Sequence, residues 1–95
     1  MITIVAKCTV KEGMNEEFTK LAYKLIAETR KEEACVSYEL FQDIDNKNIY
    51  TFIENWETRE AIDKHMNTEH FTTIVPKLKE IQICNSDMNL YEKIK

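Results

Sequence analysis

Hydrophobic and polar residues alternate along the first ten positions of the chain. The segment "ITIVAKCTV", residues 2–10, is apolar at every second position. A period of two is typical of a strand with one buried face. After a turn at Gly13, apolar residues recur every three or four positions up to about Lys31. That spacing predicts a long amphipathic helix after the first strand.

Two segments rich in β-forming residues follow, at 35–43 and 48–57, and the "IDNK" between them suits a hairpin turn. The second segment is apolar on both faces, so both sides of the sheet need a cover at this strand. Its apolar residues are Ile49 and Ile53 on one face and Tyr50, Phe52 and Trp56 on the other.

Two helical segments are predicted next, the first capped by Thr58 and the second by Thr68. Pro76 is expected to kink or end the second segment. The last strand is expected at 88–94, "MNLYEKI", with "IQICN" just before it as an alternative pairing segment.

The resulting order of β, α, β, β, α, β over residues 1–95 predicts a single α+β domain of the ferredoxin-like class. Four antiparallel strands would carry the helices on one face of the sheet. The first and third strands would be central. Because no further element remains to cover the other face, we expect a homodimer that packs sheet against sheet.

Composition and charge exclude several classes of partner. The net charge of −4 and the scattered lysines argue against nucleic acid. No Gly-rich phosphate loop is present, which argues against nucleotide or flavin. The N-terminus "MITIVAKCTV" predicts neither a signal peptide nor a membrane span, and three unpaired cysteines fit buried thiols in a cytoplasmic protein.

The segments "EACVSYELFQD" and "YTFIENWETREAIDKHMNTEHF" resemble the antibiotic biosynthesis monooxygenase superfamily of dimeric α+β barrels, a resemblance that covers nearly the whole chain. Ala34 stands where many relatives have Gly. The residues that carry the resemblance are Cys35, Tyr38, Glu54, Trp56, Ala61, His65, His70 and Phe71.

The resemblance is strongest to the quinol monooxygenase-like branch, whose helix histidine matches His65. It implies a cofactor-independent monooxygenase that oxidises a quinol-like or polycyclic aromatic molecule with molecular oxygen. The haem-degrading branch fits badly, since its axial histidine would fall near Val75. Fold does not fix reaction, so two alternatives stay open. One is a non-catalytic ligand-binding or stress-response dimer, and the other is an isomerase that uses His65 for proton transfer.

A cofactor-free oxygenase needs a base that removes a proton from its substrate, and His65 is the candidate. His70 follows five positions later, and on one continuous helix the two rings would point about 140° apart. They could then not share a metal, although a break at Asn67 and Thr68 would change that geometry. With no third ligand at a zinc spacing, we expect no metal. His70 is expected to cap the helix or hydrogen-bond locally.

Aromatic side chains would form the wall of a pocket for a flat ring. The candidates for substrate binding are Trp56, Tyr38, Tyr50, His70 and Phe71. Tyr23 is a further tyrosine whose hydroxyl could face the pocket. Glu54 is interpreted as structural, with Arg59 or a backbone amide of the facing subunit as its partner.

Overall fold

The computed structural model describes all 95 residues, which form four strands and three helices. In chain order these elements are β1 (Ile2–Thr9), α1 (Asn15–Thr29), β2 (Cys35–Gln42), β3 (Ile49–Trp56), α2 (Arg59–Met66), α3 (Glu69–Glu80) and β4 (Asp87–Glu92). The predicted α+β ferredoxin-like class is confirmed, with the second helical region divided in two.

The four strands form one antiparallel sheet in the order β2-β3-β1-β4. The first and third strands are therefore central, as predicted. Register places Ile4 of β1 and Tyr38 of β2 on either side of Glu54 in β3. Because antiparallel neighbours share a face, these three side chains point to the same side of the sheet.

The helices pack on that side and create the core. Strand β3 alternates strictly between half-buried and buried residues, and its buried members face the helices. Each large apolar side chain buried there stabilises the fold by about 1.5–3 kcal/mol. The largest fully buried side chains are Trp56, Phe18, Leu25 and Val10.

The opposite face of the sheet has no helix on it and mixes apolar and polar residues. A hydrogen-bonded row crosses it, in which Thr3 Oγ1 donates to Asn55 Oδ1 (2.6 Å) and Asn55 Nδ2 donates to Ser37 Oγ (2.8 Å). The apolar residues of this face are Val5, Phe41, Ile49, Ile53 and Tyr91. Within a single chain, β3 is therefore covered only on the side that faces the helices.

Local signals fix where the helices begin. Gly13 adopts a left-handed backbone (φ 83°) in the turn before α1, a conformation in which a side chain would be strained. The hydroxyl of Thr58 accepts from the N–H of Ala61, and that of Thr68 accepts from the N–H of Phe71. Both predicted N-caps are confirmed, and they divide the helical region at Asn67 and Thr68.

The structure refines four predictions about element boundaries and pairing. Helix α1 ends at Thr29 rather than Lys31, and β4 spans Asp87–Glu92 rather than 88–94. Of the kink or end expected at Pro76, the end does not occur: α3 continues to Glu80, and the burial of Leu78 in the following turn offsets the loss of one backbone N–H. The alternative segment "IQICN" does pair, through an isolated antiparallel bridge between Gln82 and Val10.

The three cysteines differ in their burial. All three thiols are free, but only Cys8 is buried, Cys35 is half-buried and Cys84 is exposed. The interpretation of all three as core residues is therefore wrong for Cys84, which lies in the connection before β4. None of the helices combines the length and apolar character needed to cross a bilayer.

Candidate functional site

An aromatic cluster surrounds His65 at the end of the sheet where β3 meets α2. His65 is only 2% exposed. Its ring centroid lies 4.6 Å from that of Trp56, 5.0 Å from that of Phe71 and 5.6 Å from that of Tyr38. The sequence-predicted residues Trp56, Tyr38 and Phe71 are thus brought together around the predicted base.

Chain geometry explains this convergence. Trp56 is the last residue of β3, and Thr58 starts α2 two residues later, so His65 folds back over the indole. Tyr38 lies on the neighbouring strand with its ring edge-on to Trp56, at 6.3 Å. The break before α3 then turns Phe71 toward the same imidazole.

Glu32 joins the two histidines through one carboxylate oxygen. Its Oε2 lies 2.7 Å from Nδ1 of His65 and 2.8 Å from Nε2 of His70. Because a carboxylate oxygen accepts hydrogen bonds, we assign a hydrogen to each of these ring nitrogens. Glu32 is half-buried in the connection between α1 and β2. Sequence reasoning missed this residue.

This arrangement corrects the sequence expectations for the histidines. The two rings do not point apart, because the helix breaks between them, and His70 bonds across 38 positions of sequence rather than locally. Glu32 supplies a third possible metal ligand, which the spacing of the sequence did not indicate. One ligand atom from each residue lies within 4.8 Å of the others, so Glu32, His65 and His70 could also hold a cation.

Burial and Glu32 act in opposite directions on His65. Burial disfavours the charged ring and lowers the pKa of His65 below its usual 6.5, and this effect is larger than the opposing effect of the hydrogen bond that His65 donates to Glu32. The net result is a neutral imidazole near pH 7. Since Nδ1 is engaged by Glu32 and Nε2 makes no hydrogen bond within the chain, Nε2 is the nitrogen free to accept a proton.

Glu54 is a second buried titratable group beside the cluster. Its side chain is on the helix side of the sheet, 6% exposed, and Nε1 of Trp56 donates to its Oε1 at 2.9 Å. Burial raises the pKa of Glu54 to about 7, although the indole hydrogen bond partly opposes this. Its partner within the chain is therefore Trp56 rather than Arg59.

Tyr38 contributes a phenol that remains protonated. Burial, and secondarily the charge of Glu54, raise the pKa of Tyr38 well above its usual range. The ring lies against both Trp56 and His65. Tyr38 can therefore supply an apolar wall and a hydroxyl, but not a base.

Tyr50 is not part of this cluster. It lies at the opposite end of β3 from Trp56, six residues or about 20 Å away along the strand. Its ring stacks on Phe18 at 4.9 Å, and its hydroxyl hydrogen-bonds Asn15 and Gln42. The prediction that Tyr50 binds substrate beside Trp56 is not supported by this placement. Tyr23 is largely exposed on α1.

A cavity of about 310 Å³ opens beside the cluster. Glu32 and Trp56, which both contact His65, belong to its wall. Its volume is at the lower end of the range for small-molecule sites, enough for a molecule of one or two rings. The lining residues are Glu32, Glu33, Ala34, Trp56, Glu57, Ala61, Lys64 and Thr68.

A second cavity, of about 400 Å³, is larger but lacks this chemistry. It lies between α1 and β2 and is lined by Tyr23, Ile26, Ala27, Arg30, Glu39, Leu40 and Phe41. Neither Glu32 nor Trp56, the two contacts of His65 in the smaller cavity, borders it, and it contains none of the clustered aromatic residues. We therefore place the candidate site at the smaller cavity.

The chain is thus a ferredoxin-like α+β domain whose buried histidine packs against a tryptophan that lines a small cavity. The chain belongs to the antibiotic biosynthesis monooxygenase family, whose sequence pattern matches residues 1–77. The matched region contains every residue of the cluster. The resemblance inferred from sequence is thereby confirmed.

Three known proteins illustrate what this chain is similar to. YcnE of Bacillus subtilis (strain 168), named as a candidate monooxygenase, is 35% identical over 81 residues that cover 85% of each chain. The uncharacterised protein sll1783 of Synechocystis is 30% identical over 96% of this chain, which spans 62% of that protein's length. A conserved protein from Methanosarcina mazei Go1 superposes with a TM-score of 0.95 at 38% identity, covering 97% and 91% of the two chains.

Proposed function

We propose that the protein is a cofactor-independent monooxygenase that oxidises a quinol-like or polycyclic aromatic molecule with molecular oxygen, with His65 as its catalytic base. The observation that carries this proposal is the neutral, buried imidazole of His65, packed on Trp56 with Nε2 free. Membership in the family and the name of YcnE support the same reaction class.

The reaction can be written with residues of this chain alone. Nε2 of His65 takes a proton from a phenolic hydroxyl, and the resulting anion is a better electron donor to oxygen. One oxygen atom enters the ring and the other leaves as water, so a hydroquinone and O2 give a hydroxyquinone and water. Trp56, which lines the cavity, would flank the ring, and Phe71 and Tyr38, which pack against His65, would keep water away from the imidazole.

The charge of the cavity favours a neutral substrate. Its wall contains the carboxylates of Glu32, Glu33 and Glu57 and the single ammonium of Lys64. A phosphorylated sugar would be repelled by this excess of negative charge. This argues for a phenolic substrate over the isomerase alternative, which would use the same base.

Oxygen consumption tests the proposal. The native protein, supplied with a panel of hydroquinones and anthrones, should consume oxygen, while His65→Gln should do so about a hundredfold more slowly. Gln is preferred to Ala because His65 is buried, and a cavity at this position would destabilise the fold. The control is Glu60→Gln, an exposed change on the same helix. Binding without turnover by the native protein would instead favour the non-catalytic alternative.

We also propose that the functional unit is a homodimer joined through the open face of the sheet. This face carries Val5 and Ile53 on paired central strands, and no helix covers it. A second copy is the simplest cover for such a surface. Light scattering at micromolar concentration should give twice the mass of one chain, and Ile53→Lys, at the centre of the face, should reduce it to one. A native protein of single mass would refute the proposal.

We propose a cytoplasmic location and no nucleic-acid partner, which the free thiols and the net charge of −4 support. Cell fractionation with an antibody against the protein tests the location. Recovery from an oxidising compartment would contradict it.

A further inference from the structure

The backbone holds Glu32 in place on both sides. Its N–H donates to the carbonyl of Thr29 (3.0 Å), and its own carbonyl accepts from the N–H of Cys35 (3.1 Å). Glu32 is therefore fixed between the last residue of α1 and the first residue of β2. A carboxylate on such a support has little freedom to leave its partners.

The position of the carboxylate selects one tautomer of His65. In a neutral imidazole only one nitrogen carries hydrogen, and the hydrogen bond made by one nitrogen determines the state of the other. Oε2 of Glu32 faces Nδ1 at 2.7 Å, so the hydrogen resides there and Nε2 keeps its lone pair. A histidine side chain free in water prefers the opposite tautomer, with hydrogen on Nε2.

His70 fixes the other side of the same oxygen. Its Nε2 donates to Oε2 of Glu32 at 2.8 Å, so two rings restrain one carboxylate atom. Without this second donor the carboxylate could rotate toward the cavity that Glu32 also lines. His70 is 17% exposed on its side chain, whereas His65 is 3% exposed, so the chain of contacts runs from the interior to the surface.

A bound cation is the alternative interpretation of these three residues. The donor set suits several divalent metals, but both O–N separations, 2.7 and 2.8 Å, are hydrogen-bond lengths. The hydrogen-bonded arrangement is therefore the one that the geometry favours.

We infer that Glu32 is the positioning residue of the site: its carboxylate holds Nδ1 of His65 protonated, leaves Nε2 free as the base, and is itself held by His70. When Nε2 takes a proton, the carboxylate stabilises the imidazolium that forms. This assignment rests on the proposed function for its kinetic consequence but not for the tautomer, which can be measured in the resting protein.

Nuclear magnetic resonance of ¹⁵N-labelled histidine tests the tautomer. At pH 8 the native protein should show hydrogen on Nδ1 of His65, and Glu32→Ala should shift the population toward hydrogen on Nε2. Glu32→Gln keeps an acceptor oxygen and should restore the native tautomer. Native protein with hydrogen on Nε2, or a Glu32→Ala variant with an unchanged tautomer, would overturn the inference.

Kinetics test the consequence on any substrate that the native protein oxidises. Glu32→Ala should lower kcat on the order of a hundredfold with KM nearly unchanged, since loss of orientation affects the reacting step. Glu32→Gln should recover part of this loss, and its pH profile should move to lower pH because the imidazolium has lost its counter-charge. Glu60→Gln is the matched control. Unchanged kcat in Glu32→Ala would refute the inference, whereas a correct tautomer without any turnover would refute only the proposed function.

Metal analysis tests the alternative that Glu32, His65 and His70 bind a cation. Native protein equilibrated with Zn²⁺ or Fe²⁺ and then dialysed should retain less than one equivalent. Stoichiometric retention that Glu32→Ala abolishes would show that the three residues form a cation site, and would overturn the positioning role.

Discussion

Glu54 is the one acidic side chain that the fold buries, and replacing it with Gln should change how stability depends on pH. The substitution preserves the shape and the oxygen that accepts from Nε1 of Trp56. It removes only the ability to ionise. The effect should therefore be small in acid, where the native carboxyl is neutral in the folded state, and large in base, where it must carry a charge in the core.

The magnitude follows from the two protonation equilibria. The pKa of Glu54 is about 7 in the folded state against 4.5 for a free glutamate. A folded pKa raised above the unfolded value means that the stabilising contribution is complete below about pH 4.5 and is lost as pH rises through 7. At 1.36 kcal/mol for each pH unit, the loss between pH 5 and pH 8 is about 2.5 kcal/mol.

His65 acts in the opposite direction over an overlapping range. Burial lowers its pKa below 6.5, so its contribution to stability is present above pH 6.5 and is lost as pH falls. The unfolding free energy of the native protein, plotted against pH, therefore contains both effects, and its slope does not isolate either of them. The difference between native and Glu54→Gln, measured at each pH, removes the contribution of His65 that both proteins share, because the charge of neither group shifts the pKa of the other.

Urea unfolding followed by circular dichroism provides the assay. From pH 5 to pH 8, the native protein should lose about 2.5 kcal/mol of unfolding free energy relative to Glu54→Gln. The control is Glu57→Gln, because Glu57 is exposed and adjacent to the same strand. A native-minus-variant difference that is equal at the two pH values would show that Glu54 is ionised at no cost, and the reasoning from burial would be wrong.

Three further outcomes are expected. Thr68→Ala removes the cap of α3 and should lower stability by about 1 kcal/mol in a thermal melt, whereas Thr73→Ala, an exposed change within the helix, should cost less. A sulfonated hydroquinone should show a higher KM than its neutral parent, because the carboxylates of the cavity repel the sulfonate, and Glu57→Gln should reduce the difference between the two KM values. Equal KM values in the native protein would contradict this repulsion. Chelator should leave turnover unchanged; activity lost on chelation and restored by metal would show that the reaction needs one.

Much of the fold could be predicted because its signals are local. Alternation in β1 and β3 indicates which residues face the core, and the hydroxyls of Thr58 and Thr68 mark where two helices start. The pairing of His65 with Trp56 follows from the short connection between β3 and α2. These features depend on neighbours within about ten positions, which is the range over which a sequence pattern is informative.

Glu32 could not be found in the same way. It stands in the charged run "RKEEAC", where nothing distinguishes it from Glu33, and its partners lie 33 and 38 positions away. One signal was available: antiparallel pairing places the start of β2 beside the end of β3, so the residues before Cys35 must lie near Trp56. Tyr50 shows the converse limit, because a period of two assigns a face but not a position along the strand.

The placement of Trp56 has an optical consequence. It is the single tryptophan of the chain, fully buried, with its indole N–H on Glu54 and its ring 4.6 Å from His65. All tryptophan emission therefore comes from the candidate site. A quinone that binds beside it would quench that emission by accepting an electron, and a protonated His65 would do the same. The protein thus contains its own fluorescent reporter, with which ligands can be screened without a label and without knowledge of the reaction.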